Sequence, residues 1–465
     1  MPTAQATFTS PFTDRYGSPE MRALWSDDHR RGLWRRLWVA LAEAQARAGV
    51  VTAEQAADLR SHAGRLNTAR ALEIEREIGH DVMAEVRAFA EQCLVGGGII
   101  HWGATSADIT DNADVLRQRE ALALLATRLR ALLGALAEKI EAYAHVPGMA
   151  YTHLQPAEPT TLGYRLAGYG QDLLTALREV ERQQAGLRGK GLKGAVGTAA
   201  AYQELLAGTG VGAAELEAWF LESAGLTAFP IATQTYPRSQ DYSLLTSLAG
   251  TAATLHKFAF DVRVLQSQGL AELAEPFGDK QVGSSAMPFK RNPVNAEKIC
   301  SLARLVAALP AAAWENAAEA LLERTLDDSG NRRVTLPEAF LALEECVLTA
   351  ERVVRGLVVN RAAIAANLEK FGPFAATERL LMALVRAGAD RQRVHERLRE
   401  HSLRAWAATE AGRPNPLADS VAADPELLVH LQPARLKELM NAQAYVGTAP
   451  ERALAMAAEI RQAVG

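Results

Sequence analysis

Residues 112–146, NADVLRQREALALLATRLRALLGALAEKIEAYAHV, carry the strongest structural signal of the chain. They contain no proline, and charged residues such as Arg128 and Lys139 stand between the apolar ones. Apolar steps of three and four are typical of an amphipathic helix, so the spacing predicts a single helix of roughly 35 residues, about 50 Å long. We expect Asp108, Thr110 and Asp111 to offer N-capping oxygens at its start. The apolar series is Leu122, Leu125, Leu129, Leu132, Leu136, Ile140 and Tyr143.

The same periodicity recurs in four further segments. It predicts helices from 160 to about 184, from 239 to about 269, from about 294 onward, and from 337 to about 358. Pro310 should kink or break the helix that starts near 294. Several long helices joined in sequence indicate a long antiparallel bundle, and no segment reads convincingly as a sheet. The predicted fold class is therefore all-α.

Two breaks in composition suggest domain boundaries. Residues 96–106 are rich in glycine and polar side chains, and after residue 360 we expect shorter helices because proline returns. These breaks predict an N-terminal helical domain over 1–110, a central long-helix bundle over 111–360, and a C-terminal helical domain over 361–465.

Composition excludes several classes of protein. The 465-residue chain has a formal net charge of −4, which argues against broad nucleic-acid binding. Its three cysteines are scattered and odd in number, which favours a reducing compartment over a disulfide framework. The first ten residues lack the basic and apolar regions of a signal peptide, and no apolar run approaches the ~20 residues of a membrane span. We expect a soluble cytoplasmic protein with neither nucleic-acid nor membrane partners.

A second stretch, residues 283–293, reads GSSAMPFKRNP and joins two helical segments. Two hydroxyls, a lysine, an asparagine and two prolines suit a loop that holds a carboxylate and moves a proton better than a packing segment. The stretch resembles the signature of the fumarase/aspartase superfamily, and its KRNP ending is similar to that of the adenylosuccinate lyases. We place the signature loop at residues 275–293.

The resemblance implies a role for three residues of this loop. Ser284 aligns with the catalytic base of the family, although a serine hydroxyl is a poor base unless its alkoxide is stabilised. Lys290 and nearby backbone N–H groups are expected to stabilise that charge and to bind the substrate carboxylate. Asn292 is expected to donate to the same carboxylate. The structural alternative is an ordinary helix connector with a serine turn.

Three further segments resemble those of the same family. In YTHLQPA, the resemblance implies that His153 is the general acid, because histidine titrates near neutrality, and that Thr152 donates to a carboxylate. In IGHDVMAEV, His80 is expected to orient or assist the acid and Asp81 to contact the nucleotide. In GATSAD, two hydroxyls are expected to donate to the fumarate portion, and they could also cap a helix; these are Thr105 and Ser106.

The segment ERTLDDSGNRR at 323–333 separates members of the superfamily. It resembles the adenylosuccinate lyase pattern, and arginine forks suit phosphate oxygens. Arg324, Ser329 and Arg333 are therefore candidates for phosphate and ribose. Taken alone, the segment could also be a solvated helix end with internal ion pairs.

Two more segments match the nucleotide side of that family. DRYGSP supplies Arg15 and Tyr16 as expected contacts, and TQTYPR supplies Gln234. Lys298 departs from the pattern, because arginine is expected at that position in the animal-type sequences that this chain otherwise resembles. Lysine keeps the charge but loses the fork.

The resemblance implies an elimination that releases fumarate from adenylosuccinate to give AMP, and from succinyl-aminoimidazole carboxamide ribotide (SAICAR) to give AICAR, in purine nucleotide biosynthesis. It also implies a homotetramer whose bundles pack together and whose active sites each draw on three subunits.

We expect no metal and no organic cofactor, since the histidines lack ligand spacing such as His-Glu-x-x-His and the glycine-rich segment 186–198 is not a phosphate-binding P-loop. The alternatives are another fumarate-releasing lyase such as argininosuccinate lyase, a catalytically silent helical scaffold, or a regulator that binds AMP without turnover.

Overall fold

The computed structural model describes residues 8–278 and 280–465, and this part of the chain is predominantly helical. No helix in the described ranges is both long and apolar enough to cross a membrane. The helices are α1 (Pro19–Leu24), α2 (Asp27–Arg47), α3 (Ala53–His62), α4 (Thr68–Ile78), α5 (Asp81–Ala90), α6 (Ser106–Tyr143), α7 (Leu162–Gly186), α8 (Ala200–Leu205), α9 (Ala213–Ala224), α10 (Ser239–Gln266), α11 (Val294–Ala308), α12 (Pro310–Ala318), α13 (Asp327–Arg355), α14 (Arg361–Arg386), α15 (Arg391–Glu410), α16 (Leu417–Ala422), α17 (Pro425–Leu428), α18 (Pro433–Leu439) and α19 (Ala449–Val464). The strands are β1 (Pro147–Thr152), β2 (Gln155–Thr161), β3 (Leu273–Ala274) and β4 (Val358–Val359).

The chain forms two compact units, each built from three stretches of sequence. The first unit holds residues 8–128, 176–253 and 301–346, and the second holds residues 129–175, 254–300 and 347–465. The boundaries between the units fall inside five of the long helices, namely α6, α7, α10, α11 and α13. The division into three domains near residues 110 and 360 stays a prediction.

Helix α6 confirms the long helix expected from the apolar steps. It runs through Ser106–Tyr143, and the six aliphatic residues of the series from Leu122 to Ile140 are all buried. Full burial of a leucine contributes roughly 1.5–3 kcal/mol, so this face is a main source of stability. The capping prediction is wrong for Thr110 and Asp111, which lie inside the helix because it starts earlier than expected. Asp108 does accept a hydrogen bond from the Thr105 backbone N–H at 3.1 Å.

The other predicted long helices are present with shifted ends. Pro310 does break the helical run, because α11 ends at Ala308 and α12 begins with the proline at its first position. Helix α13 starts ten residues before the expected Pro337, which it contains. The expectation of shorter helices after residue 360 fails for α14, which continues through Pro373 for 26 residues, and holds for α15 to α19, which have 20 residues or fewer.

The all-α class is confirmed, but the expectation of no sheet is wrong in detail. Strands β1 and β2 form an antiparallel hairpin, and β3 pairs antiparallel with β4. The hairpin was hidden because proline, which usually argues against a strand, occurs three times in it. Each strand of a two-stranded hairpin is an edge, so a missing N–H can face outward. The three prolines are Pro147, Pro156 and Pro159.

Candidate active site

The fifteen predicted site residues divide between the two units. Ten belong to the first unit: Arg15, Tyr16, His80, Asp81, Thr105, Ser106, Gln234, Arg324, Ser329 and Arg333. Five belong to the second unit: Thr152, His153, Ser284, Lys290 and Asn292.

The first unit contains a cleft of about 700 Å³. Three of the ten predicted residues, Arg15, Tyr16 and Thr105, do not line it. Arg15 is exposed, with its guanidinium 5.9 Å from the ring centroid of Tyr16. The other seven do line it: His80, Asp81, Ser106, Gln234, Arg324, Ser329 and Arg333.

His80 and Asp81 lie at the start of α5. His80 is the N-cap, and its Nδ1 accepts a hydrogen bond from the Met83 backbone N–H at 3.3 Å. A neutral imidazole that accepts at Nδ1 carries its proton at Nε2, so the ring can donate from that side. Asp81 accepts from Arg333 Nη2 at 2.9 Å, which draws two separately predicted segments together.

One wall of the cleft is a buried ion-pair network that sequence reasoning missed. Arg238 donates two hydrogen bonds of 3.1 Å to Asp111 and one of 2.6 Å to Asp328. The other oxygen of Asp328 accepts from Arg324 at 2.8 Å. Arg324 is therefore held in place by a carboxylate that is itself held by Arg238. The sequence signal for this network is Arg238, the arginine that ends TQTYPR, which lies in the segment that also supplied Gln234.

Arg332 extends this network and differs from its neighbour Arg333. It donates to Asp241 at 2.8 Å and to the Tyr236 hydroxyl at 2.7 Å, and it is buried, whereas Arg333 is largely exposed. Burial raises the pKa of the Tyr236 phenol well above its ordinary value. Burial opposes ionisation of Asp241 too, but the nearby Arg332 and Arg238 outweigh it and lower the pKa of that carboxyl. The side chains of this wall are therefore charged, and the ion pairs between them hold them in position.

Two other lining residues carry polar groups without a partner. Trp25 Nε1 and Arg30 Nε are buried, and neither meets an acceptor within the described part of the chain. An unsatisfied buried donor costs about 1–3 kcal/mol, so these N–H groups would gain from an acceptor on a ligand. Neither residue belongs to a motif that could be recognised in the sequence.

The glycine-rich segment 186–198 packs against Asp108 and so fixes the start of α6. Lys190 Nζ lies 2.6 Å from Asp108 Oδ1, which also accepts the backbone N–H groups of Lys193 and Gly194. Burial lowers the pKa of Lys190, against the raising effect of Asp108. Lys193 Nζ donates a hydrogen bond to Glu217 Oε1 at 2.5 Å. Both lysines are therefore committed to carboxylates within the first unit.

In the second unit, the signature loop places two donors at Ser284. Its Oγ accepts from the backbone N–H groups of Ala286 at 3.3 Å and Met287 at 3.1 Å. Asn292 Nδ2 donates to the Gly283 carbonyl at 3.1 Å and so closes the loop on itself. A Cβ at Gly283 would lie 2.1 Å from the Lys290 carbonyl oxygen, so this close approach requires glycine.

Both ends of the signature loop are anchored. Glu275 accepts the backbone N–H groups of Asn295 at 3.1 Å and Ala296 at 3.0 Å, which caps the start of α11. Gln266 Nε2 donates to the Arg291 carbonyl at 3.1 Å. The loop tip between these anchors, including Lys290, is exposed.

His153 lies on the exposed turn of the β1–β2 hairpin. Its φ is +54° and that of Leu154 is +59°, the left-handed values of a two-residue hairpin turn that normally uses asparagine and glycine. Each such residue costs roughly 1–2 kcal/mol relative to ordinary backbone. The surrounding structure holds the turn, because buried Glu272 accepts from Tyr151 at 3.1 Å and from Arg165 at 3.0 Å.

The sequence matches known proteins over nearly its whole length. A family described as "Lyase" matches residues 12–307, and one described as "Adenylosuccinate lyase C-terminus" matches residues 373–453. Adenylosuccinate lyase of Saccharomyces cerevisiae is 39% identical over 96% of this chain and 93% of that protein. The enzyme of Schistosoma mansoni is 39% identical over 90% and 88%, and that of Archaeoglobus fulgidus 34% over 95% and 96%. The chain belongs to the adenylosuccinate lyase family.

Solved structures with this fold extend beyond the adenylosuccinate lyases. The 3-carboxy-cis,cis-muconate lactonizing enzyme of Pseudomonas putida has a TM-score of 0.86 and 26% identity, covering 98% of this chain and 100% of that one. A fumarate lyase of Mesorhizobium has a TM-score of 0.83 and 25% identity, covering 98% and 99%. Since proteins named for different reactions share this fold, the site residues rather than the fold must select the reaction.

The adenylosuccinate lyase C-terminal match covers a region in which sequence reasoning found no usable motif. Here His401 Nδ1 lies 3.1 Å from Ser420 Oγ, and its Nε2 lies 2.7 Å from Asp424 Oδ2. These residue types resemble a nucleophilic triad, but His401 is buried and the Ser420 hydroxyl donates to the Leu417 carbonyl. Asp424 also caps α17, so we assign the group a structural role.

Proposed function

We propose that this protein cleaves adenylosuccinate into AMP and fumarate by β-elimination, and SAICAR into AICAR and fumarate by the same reaction. The observation that carries the proposal is the cleft of the first unit. Seven residues predicted from four separate sequence segments line one cavity of about 700 Å³, a size ordinary for a small-molecule site. Membership of the adenylosuccinate lyase family supports the same conclusion.

The proposed reaction removes a proton and breaks a C–N bond on adjacent carbons. Ser284, as the alkoxide, takes the proton next to the carboxylate, and the C–H electron pair forms the C=C bond of fumarate. The C–N pair leaves with the nitrogen, which receives a proton from the imidazolium of His153. Base and acid then stand on opposite faces of the substrate, as anti elimination requires.

The geometry of Ser284 supports its role as base. A serine needs a stabilised alkoxide to remove a weakly acidic C–H proton. The two backbone N–H groups at 3.1 and 3.3 Å already point at Oγ, so they would stabilise negative charge without rearrangement. We assign Lys290, Asn292 and Thr152 to the carboxylate whose charge grows during the reaction.

The cleft of the first unit is assigned to the nucleotide and part of the succinyl group. Arg333 and Arg324 would bind phosphate oxygens, with Ser329 as a further donor. Ser106 and Thr105 would donate to the fumarate portion, and His80 would orient the acid. We keep Arg15, Tyr16, Asp81 and Gln234 as further nucleotide contacts.

We further propose a homotetramer in which each active site draws on three subunits. The exposure of His153 and Lys290 on a hairpin turn and a loop tip supports this, because each could reach a cleft on another copy. Mixing His153→Ala with Ser284→Ala protein tests it: mixed tetramers should regain part of the activity if different subunits supply the two residues.

We also propose a cytoplasmic location, in keeping with three buried free cysteines.

The deciding experiment mixes purified protein with adenylosuccinate and follows ultraviolet absorbance, with fumarate identified by chromatography. SAICAR and argininosuccinate are run in parallel, and Ser284→Ala protein is the negative control. We expect fumarate from both purine substrates. Release of fumarate only from argininosuccinate would move the assignment to that lyase. A folded protein that binds AMP but converts none of the three would contradict the proposed catalysis.

A further inference from the structure

A cluster of three possible metal ligands lies in the first unit, and none of the three belongs to the cleft lining. Asp58 and His62 are one helical turn apart on α3, and Cys93 follows α5. One ligand atom from each side chain lies within 4.8 Å of the other two. Asp58 Oδ1 and His62 Nδ1 are 3.1 Å apart.

These distances fit a small ion with mixed ligands. Zinc binds thiolate sulfur, imidazole nitrogen and carboxylate oxygen at about 2.0–2.3 Å, almost always in tetrahedral geometry. Ligand atoms around such an ion are then on the order of 3.5 Å from one another. The oxygen–nitrogen pair is already close to that spacing, and the three side chains offer one ligand of each kind.

We propose that Asp58, His62 and Cys93 form a zinc site, with water as the fourth ligand. The side chains of Asp58 and His62 are 13% and 23% exposed, whereas Cys93 is buried. The ion would therefore meet solvent on the side of α3 and protein on the side of the thiol. A partly open side gives the ion an entry path and leaves room for the water.

The two oxygens of Asp58 have separate tasks. Oδ2 accepts the backbone N–H groups of Val95 at 2.9 Å and Gly96 at 2.8 Å, while Oδ1 is the oxygen beside His62. The backbone donors orient the carboxylate, as groups around a metal ligand commonly do. Oδ1 can thus bind the ion without releasing the segment that Oδ2 holds.

The histidine and the thiol each have a proton to move. His62 Nδ1 lies 2.9 Å from the Asp58 carbonyl oxygen, which can only accept, so Nδ1 carries the ring proton in the metal-free protein. On zinc binding this proton is lost to solvent and Nε2 takes one up, so the neutral ring binds the ion through the Nδ1 lone pair and gives up its contacts to Ser61 and the Asp58 carbonyl. Burial raises the pKa of the Cys93 thiol to about 11, so zinc would displace a proton to solvent as the Zn–S bond forms. The charge of one Zn²⁺ is then balanced by one carboxylate and one thiolate.

The site would tie α3 to the segment 93–97 that leads towards α6. This segment already lies close to α3, since a Cβ at Gly96 would be 2.5 Å from the Gln55 carbonyl oxygen. The sequence predicted no metal site because it contains neither a His-Glu-x-x-His nor a Cys-x-x-Cys motif. The spacing from Asp58 to His62 suits one helix face, but Cys93 joins them only in the folded chain.

Cobalt(II) is a suitable probe, because a cobalt–thiolate bond absorbs strongly in the near ultraviolet. Metal-free full-length protein is titrated with Co²⁺ and then with Zn²⁺, alongside His62→Gln, Cys93→Ala and the matched control Cys300→Ala, which removes another buried thiol. We expect one equivalent of Co²⁺, a thiolate band in the wild type and in Cys300→Ala, and its displacement by Zn²⁺. Zinc should raise the melting temperature of these two proteins only.

The variants distinguish a specific metal site from adventitious metal binding. Cys93→Ala should lose the band, and His62→Gln should bind at least tenfold more weakly while melting at the wild-type temperature without metal. A wild-type protein without the band would overturn the proposal, as would a band that survives in Cys93→Ala. If Cys93→Ala does not fold, unchanged affinity in His62→Gln would refute the site equally well.

Discussion

Arg333 donates a hydrogen bond to Asp81 over 2.9 Å and so connects α13 to the start of α5. The Arg333 side chain is 57% exposed, so this ion pair contributes at most about 1 kcal/mol to stability. An incoming phosphate is a stronger partner for a guanidinium than one carboxylate, since it offers more oxygens in fork geometry. The pair holds Arg333 at the cleft. A nucleotide phosphate can then replace Asp81 as the partner of Arg333 with little loss of free energy.

Arg333→Lys should therefore weaken nucleotide binding more than it slows the chemical step. Lysine keeps the charge but cannot bind two oxygens at once, and the loss of one charge-assisted hydrogen bond corresponds to roughly tenfold or more. We expect KM for adenylosuccinate to rise at least about tenfold while kcat changes less. Steady-state kinetics on both purine substrates measures the two constants.

Arg355→Lys is the matched control, because Arg355 is an exposed arginine on α13 paired with Glu351 in the preceding turn. It should leave KM unchanged. Equal KM values in wild type and Arg333→Lys would remove Arg333 from the phosphate site.

Ser284→Ala should lower turnover by at least about 100-fold, the usual contribution of a positioned base. Binding of AMP should persist, because Ser284 lies on the signature loop and the proposed nucleotide contacts lie in the first unit. Ser285→Ala is the control at the adjacent hydroxyl and should retain activity. Near-normal turnover in Ser284→Ala would show that another group removes the proton.

Arg238→Ala should destabilise the first unit strongly. It removes three hydrogen bonds and leaves the buried carboxylates of Asp111 and Asp328 undercompensated. Breaking a buried ion pair in this way costs about 3–5 kcal/mol, visible as a lower midpoint of urea unfolding. Arg182→Ala, which breaks an exposed pair with Glu179, should change the midpoint little. Similar midpoints for the two variants would show that the network adds no stability.

The long helices could be predicted because apolar steps of three and four leave a clear trace in the sequence. The segments that carry the cleft could also be found, since each combines unlike residues in a recognisable order. The sequence did not show which of two adjacent arginines on α13 faces the protein interior. Arg332 and Arg333 are adjacent and chemically identical, but successive residues of a helix point about 100° apart, so one is buried against Asp241 and the other meets Asp81.

The β1–β2 hairpin and the cluster of Asp58, His62 and Cys93 could not be predicted from the sequence, for a different reason. Both depend on backbone or side-chain partners that are set only by tertiary structure. The turn at His153 and Leu154 lacks the glycine or asparagine that marks such turns, and Glu272 in a distant segment holds it. Local propensity carries no information on a partner more than 100 residues away.

His101 should make the protein less stable in mild acid. Burial lowers the pKa of its imidazole to about 4, against a raising effect of Asp108, and Trp38 Nε1 donates to its Nδ1 at 3.0 Å. The folded state holds this ring neutral, while in the unfolded chain it gains a proton below its ordinary pKa of about 6.5. Its stabilising contribution is therefore complete above pH 6.5 and is lost as the pH falls towards 4, by up to about 3 kcal/mol.

His101→Asn isolates this effect, because asparagine tolerates the φ of +70° found there and keeps an acceptor near Trp38. Urea unfolding of both proteins between pH 7.5 and pH 4.5 gives the difference in free energy at each pH. The wild type should lose more stability than the variant over this range. Parallel curves would show that His101 is not held neutral by the fold.

Leu154 offers a test of whether the hairpin turn stores strain that serves the position of His153. Its φ of +59° suits glycine and is least tolerated by β-branched residues. Leu154→Gly should raise the free energy of unfolding by up to about 1 kcal/mol, and Leu154→Val should lower it by a similar amount. If the strained turn fixes the histidine, the more flexible glycine variant should also lose kcat while AMP binding stays unchanged. A glycine variant that is both more stable and fully active would show that the turn geometry needs no rigid side chain beside His153.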